Sequence, residues 1–334
     1  MTEMPMRLLG TTGLRVSRLG LGLAALGRPG YINLDHAADL GRDYDVEAME
    51  AHAHDVLDAA FAGGIRYVDA ARSYGRAEAF LGSWLHQREF ACSEVVVGSK
   101  WGYTYTADWQ VDAEVHEVKE HSLAVLQRQW QESQVHLGPY LCLYQVHSAT
   151  LASGILDNLP VLRELARLHN LGVAIGMTVS GPRQAEVIER ALTLELDGRR
   201  VFETVQVTWN LLERSTTGIL RQAHAAGMGI IVKEALANGL LTPKNDAPDF
   251  AEPMALLRAE ADRLSASVDA LALAAVLAEP WADLVLSGAA RIDHLTSNLG
   301  ALTVAWDARA AEQLTPLAEP PDRYWSRRGE LAWN

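Results

Sequence analysis

Four ionisable residues recur at the same relative place along this 334-residue chain: Asp69, Tyr74, Lys100 and His147 lie at, or just beyond, the C-terminal ends of three successive short apolar runs. A phenol with an ordinary pKa near ~10 is a weak acid at neutral pH. A neighbouring ammonium stabilises the phenolate and lowers that value, a role open to Lys100. A carboxylate beside the lysine, here Asp69, keeps it protonated and fixed, and an imidazole, here His147, can hydrogen-bond a substrate oxygen. Each residue singly has a bland reading: helix cap, core tyrosine, surface lysine, satisfied histidine. Together they form a proton-transfer set suited to the reduction of a carbonyl, provided that one fold gathers them.

The elements that must do the gathering are legible in the hydrophobic pattern. Eight short, mostly β-branched runs at 19–24, 65–70, 95–100, 141–147, 173–178, 205–210, 230–235 and 284–288 read as strands buried on both faces. Helical patterns fill most of the gaps. Val111, Val115, Val118, Ser122, Val125 and Leu126 share one helical face, and Pro160 opens a helix that Asn170 and Gly172 close. Strand and helix in alternation imply parallel strands with right-handed crossovers, and eight such units predict an α/β fold of the (β/α)8 barrel type. The segment Leu8-Leu9-Gly10-Thr11-Thr12-Gly13-Leu14 predicts a tight hairpin that plugs the barrel floor. No linker-like stretch divides residues 1–334, so one domain is expected. In a barrel the C-terminal strand ends converge on one mouth. The Gly/Pro-rich loop 27–35 is expected to wall that mouth, and the aromatic C-terminal tail to fold over it.

Composition removes several function classes. The 29 Lys and Arg against 42 Asp and Glu give a formal charge of −13, which repels phosphate backbones and anionic lipid heads. No nucleic-acid partner is expected. The longest apolar run, 270–278, is half a membrane span, and the start of the chain lacks a signal-peptide pattern, so a soluble, cytoplasmic protein is expected. Cys92 and Cys142 make no disulfide framework, and no Cys-x-x-Cys or His-x-x-x-His cluster suggests a metal site. Gly20-Leu21-Gly22-Leu23-Ala24-Ala25 spells a dinucleotide fingerprint by letters alone. Pro29 and Gly30 follow it, however, and no amphipathic helix begins until about Val46, so a Rossmann turn does not fit. His52 and His54, two apart on that helix, point to different faces and read as surface residues.

Through Val68-Asp69-Ala70-Ala71-Arg72-Ser73-Tyr74-Gly75-Arg76-Ala77-Glu78, Gly98-Ser99-Lys100-Trp101 and Leu143-Tyr144-Gln145-Val146-His147, the chain resembles the aldo-keto reductase superfamily over nearly its whole length. The resemblance implies a barrel that binds an extended nicotinamide dinucleotide, usually NADPH with NADH possible, without a Rossmann fold. It implies that Tyr74 is the general acid, that Lys100 and Asp69 tune it, and that His147 orients the carbonyl. Gln206 and Trp209 take the places of the carboxamide partner and of the ring that stacks on the nicotinamide, the tryptophan pointing to the mouth. Thr178 keeps a hydroxyl in the fifth strand, where Val179 replaces a common Asn. Gly22, Leu211, Leu236, Gly239 and Gly288 are implied to line the cofactor path, with Lys233 offsetting the charge of Glu234. His294 and Asn298 fall in the segment implied to grip adenosine, and Arg291 is the implied partner of a 2′-phosphate. Tyr31, Ile32, Trp101 and Tyr103 are expected around an apolar substrate mouth.

The expected function is therefore interconversion of a small-molecule aldehyde, ketone or aldose and its alcohol by hydride transfer. Two alternatives stay open: a non-catalytic, cofactor-binding regulatory subunit, and a Schiff-base aldolase using Lys233 at the end of its strand.

Overall fold

The computed structural model describes residues 3–334. The eight expected runs form β1 (Leu19–Gly22), β2 (Tyr67–Asp69), β3 (Val96–Trp101), β4 (Leu141–Ala149), β5 (Ala174–Val179), β6 (Thr204–Thr208), β7 (Gly229–Lys233) and β8 (Leu284–Ser287). Each pairs in parallel with the next, and β8 returns to β1 to close the barrel. This is the (β/α)8 architecture that the alternation predicts. Helices start where the capping chemistry says: Asp45 accepts from the N–H groups of Glu47 and Ala48 at 3.0 Å to open Val46–Ala62, and Asn158 with Pro160 opens Leu159–His169.

The N-terminal hairpin, Met6–Leu8 paired antiparallel with Arg15–Ser17, closes the floor as expected. Leu9 at its tip is fully buried in a cluster with Tyr67, Leu143, Ile231 and Leu284, and the Thr11 N–H donates to Gly227 O just ahead of β7. Above this apolar layer the barrel interior turns polar. Gly98 makes that possible: a Cβ there would lie 2.3 Å from the Tyr67 hydroxyl, so only glycine leaves the phenol room to reach Asp69.

Two local expectations are overturned. Residues 111–121 are not helical: Glu117–Lys119 is a strand paired antiparallel with Tyr103–Tyr105, and the helix starts at Leu123, after a Ser122 cap. Val115 and Val118 are exposed, so the valines give no core-facing stripe to fold a helix upon. His52 and His54 are not surface residues either. Their helix is flanked on two sides, so His54 is buried against Phe80 O and Ser83 Oγ, while His52 bonds Ala290 O at 2.6 Å. Among the described residues no helix is long and apolar enough to cross a membrane.

Candidate active site

The polar layer of the barrel is organised around one carboxylate. Asp69, 2% exposed, pairs with the buried ammonium of Lys100, which also donates to Ala70 O at 2.9 Å. Its Oδ1 accepts from the Tyr67 hydroxyl at 3.1 Å, Gln206 Nε2 at 3.0 Å and Gln145 Nε2 at 3.3 Å. The charge is thus taken from water but paired and hydrogen-bonded from β2, β3, β4 and β6 at once. Gln206 lines the mouth and also belongs to this network.

Tyr74 stands over the network on the loop after β2. Its ring centroid is 4.6 Å from Lys100 Nζ and 5.5 Å from the His147 ring, edge to face. The loop is fixed against the loop after β1: the Arg76 N–H donates to Gly27 O at 2.7 Å, and Gly75, with φ of 57°, allows an approach that any Cβ would block. Glu78, one turn further, holds the same loop from behind. Its buried carboxylate accepts from Arg72 at 2.6 Å, Ser99 at 2.5 Å and Ser133 at 2.7 Å, tying the loop to β3 and to the helix Leu123–Leu137.

The electrostatics correct one expectation. Burial, followed by the Asp69 carboxylate, pushes the Tyr74 phenol well above its ordinary value, and Arg28 only partly opposes this. A lowered pKa is not what the site produces, because burial and then the Asp69 carboxylate outweigh the cations around the phenol. Burial, with Lys100, Lys233 and Arg28 nearby, pushes His147 well below its ordinary value, so it is a neutral imidazole at physiological pH. Tyr74 therefore holds its proton, and His147, whose Nδ1 lies 3.4 Å from Ser73 Oγ, is an uncharged imidazole beside it.

A cleft of about 570 Å³ runs from this group across the mouth. Tyr31, Ile32 and Tyr103 line it beside Tyr74 and His147, as does Trp333 of the tail. Arg28, which composition and spacing left unremarked, is buried among the Tyr31, Tyr74 and Trp333 rings at 5.3, 5.2 and 4.7 Å and paired with Glu117 at 3.0 Å. The tail crosses the opening: Trp333 stacks flat on His116 at 4.0 Å, and the backbones of Asn334 and Tyr31 exchange two hydrogen bonds of 3.1 Å. The cleft is also lined by Gly22, the register neighbour of Asp69, and by Leu236, Gly239, Gly288, His294 and Asn298.

Five expected site residues are placed elsewhere. Side chains alternate along a strand, so with Gln206 and Thr208 turned inward, Trp209 turns outward: it is buried against Trp281 at 5.4 Å, with Nε1 donating to Thr217. Trp101 next to Lys100 suffers the same inversion and packs on His121. Leu211 is buried in a separate apolar cluster around Phe250 and Leu271. Thr178 is fully buried, its hydroxyl accepting from the Ser148 N–H at 2.7 Å. Arg291 is exposed and clasped by Asp293 through two bonds of 2.9 Å, outside the cleft. With Trp209 outside the mouth, Trp209→Leu is expected to leave the calorimetric Kd for a nicotinamide dinucleotide unchanged. A several-fold weakening would return the indole to the cofactor path.

Lys233 reaches the cleft at the end of β7 and donates to Thr208 Oγ1 at 2.6 Å. Burial lowers its pKa to about 8, against the opposing pull of Glu234. Glu234, although burial raises it, is held down to about 2 by Arg328 and Lys233. Arg328 comes from the C-terminal helix Pro321–Gly329 and bonds Glu234 at 2.5 Å. The cluster carries one net positive charge where a polyanionic chain could cross the mouth.

Comparison with known proteins places this arrangement. The model of the aldo/keto reductase family matches residues 18–319. The chain is 27% identical over 329 residues to the aldo-keto reductase ausK of Aspergillus calidoustus, covering 88% of this chain and 76% of that protein. It is 26% identical over 299 residues to pyridoxal 4-dehydrogenase of Microbacterium luteolum, covering 77% and 79%. The solved structure of the aldo-keto reductase AKR11C1 from Bacillus halodurans in its holo form shares the fold, with a TM-score of 0.74 at 23% identity, covering 95% of this chain and 97% of that one. The chain belongs to the aldo/keto reductase family.

Proposed function

We infer that this oxidoreductase reduces a small aldehyde or ketone, or oxidises the corresponding alcohol, with a nicotinamide dinucleotide lying in the cleft and Tyr74 exchanging the proton. The observation that carries the reading is the Tyr74 phenol, edge to face with the His147 ring at 5.5 Å and set over the Lys100–Asp69 pair, in a cleft lined by small residues at Gly22, Gly239 and Gly288 and by the cations Lys233 and Arg328. Those features suit an extended dinucleotide with a central diphosphate. When bound, the dinucleotide supplies or accepts the hydride. The protein's part is proton transfer and alignment: His147 bonds the carbonyl oxygen, Tyr74 Oη delivers its proton to that oxygen, and Lys100, pinned by Asp69, steadies the phenolate left behind. Arg28, stacked over the Tyr74 ring, adds to that stabilisation.

The substrate end, walled by Tyr31, Tyr103 and Trp333 with the Arg28–Glu117 pair between them, supports an aromatic or otherwise flat carbonyl compound that carries hydrogen-bonding groups. The testing experiment is dinucleotide oxidation followed over a panel of aromatic aldehydes, aliphatic aldehydes, ketones and aldoses. Turnover of none of them would overturn the reading.

The raised Tyr74 pKa sets a direction-dependent pH profile. Reduction needs the phenol, which is present throughout the neutral range, so its kcat is expected to stay flat from about pH 6 to 8. Oxidation needs the phenolate, which gains population as pH rises, so its kcat is expected still to be climbing above about pH 9. An oxidation profile that levels off near neutrality would place the proton acceptor elsewhere.

A further inference from the structure

The far end of the cleft differs in charge from its middle. Asp39, in the short helix His36–Asp39 after β1, lines it with a side chain 10% exposed, and its carboxylate is paired with the ammonium of Lys244. His294 Nδ1 lies 3.9 Å from the other Asp39 oxygen. Asp269, 7% exposed, lines the same end from the first turn of the helix Val268–Leu277. Two carboxylates thus face one fixed ammonium there. Arg291 does not change the sum, because it lies outside the cleft and is neutralised by Asp293.

We propose that this end of the cleft accepts an unphosphorylated adenosine ribose, with Asp39 as the specificity-determining residue, so that the chain selects NAD(H) over NADP(H). The inference rests on the dinucleotide reading above and fixes which dinucleotide. A carboxylate has only acceptors to offer, and a ribose diol has two hydroxyl donors to give it. A 2′-phosphate has no donor when fully ionised and carries about −1.5 to −2 charges near neutrality, so it meets repulsion from Asp39 and Asp269. Lys244 lines the cleft and has N–H donors to spare, but its charge is already matched by Asp39, so the pair brings no net positive charge to a phosphate while Asp269 adds a negative one. Lys244 instead acts as the clamp that aims Asp39 into the cleft.

The test is calorimetric titration of the wild-type protein with NADH, NADPH, ADP-ribose and its 2′-phosphate. NADH and ADP-ribose are expected to bind about tenfold or more tighter than their phosphorylated counterparts, since juxtaposed like charges weaken recognition steeply. Asp39→Asn is expected to narrow the gap from both sides, tightening NADPH and weakening NADH, while Arg291→Ala moves neither Kd. If the Asn variant does not fold, the wild-type comparison of the two ADP-riboses decides alone. Equal or tighter binding of the phosphorylated ligands by the wild type would overturn the selection by Asp39 and leave the dinucleotide reading standing. Binding of neither NADH nor NADPH would overturn that reading and the selection with it.

Discussion

Tyr74→Phe is expected to lower kcat for carbonyl reduction by ~10²- to 10⁴-fold, the usual worth of a positioned general acid, while the Kd for the dinucleotide stays nearly constant. The substitution removes one hydroxyl and keeps the ring that Arg28, Lys100 and His147 pack around, so the mouth loses its acid and little of its shape. The constancy of Kd separates this outcome from collapse of the loop after β2. A variant that keeps more than about a tenth of the wild-type kcat would remove Tyr74 from the proposed role.

The largest expected effect on stability comes from the partner beneath it. Lys100→Met leaves the Asp69 carboxylate inside the barrel with the neutral donors Tyr67, Gln145 and Gln206 but no counter-charge. Removing one member of a buried ion pair typically costs about 3–5 kcal/mol, and that range is expected from urea unfolding at neutral pH. A deficit below about 1 kcal/mol at neutral pH would mean that Asp69 does not depend on Lys100 for its place in the barrel.

The barrel was legible because β-branched runs such as Val95–Val97 and Ile230–Val232 are continuous, and continuity is what burial on both faces requires. The convergence of Asp69, Tyr74, Lys100 and His147 could be read for a related reason: strand ends are fixed by the same pattern, and Asp69, Lys100 and His147 lie at or near them. What sequence position alone left unsettled was which way each side chain turns. Trp101 and Trp209 each stand an odd number of residues from an inward neighbour, Lys100 and Gln206, and that parity sends them outward. Counting parity from Lys100 and Gln206 would have found both. Arg28, Asp39 and Trp333 were harder, since each lies on an irregular excursion brought over the mouth by contacts distant in sequence. Charge at the Arg291 segment misled for a local reason: Asp293, two residues on, satisfies the guanidinium first.

The walls of the mouth and the floor beneath them are built from different parts of the chain. Loop 27–35, the Tyr103–Tyr105 and Glu117–Lys119 hairpin, and the last residues of the tail are tied to one another through Arg28 with Glu117, Trp333 with His116, and Asn334 with Tyr31. The Asp69 network is held by strands. In evolutionary terms the two are largely separable modules: Gly27 and Arg28 apart, insertions or exchanges in the three excursions are expected to retarget the mouth to new compounds while the proposed chemical step is kept. The converse does not hold, because a change at Asp69 or Lys100 is felt by four strands at once. Diversity among descendants of such a chain should therefore accumulate at residues 29–34, 103–116 and 330–334 first.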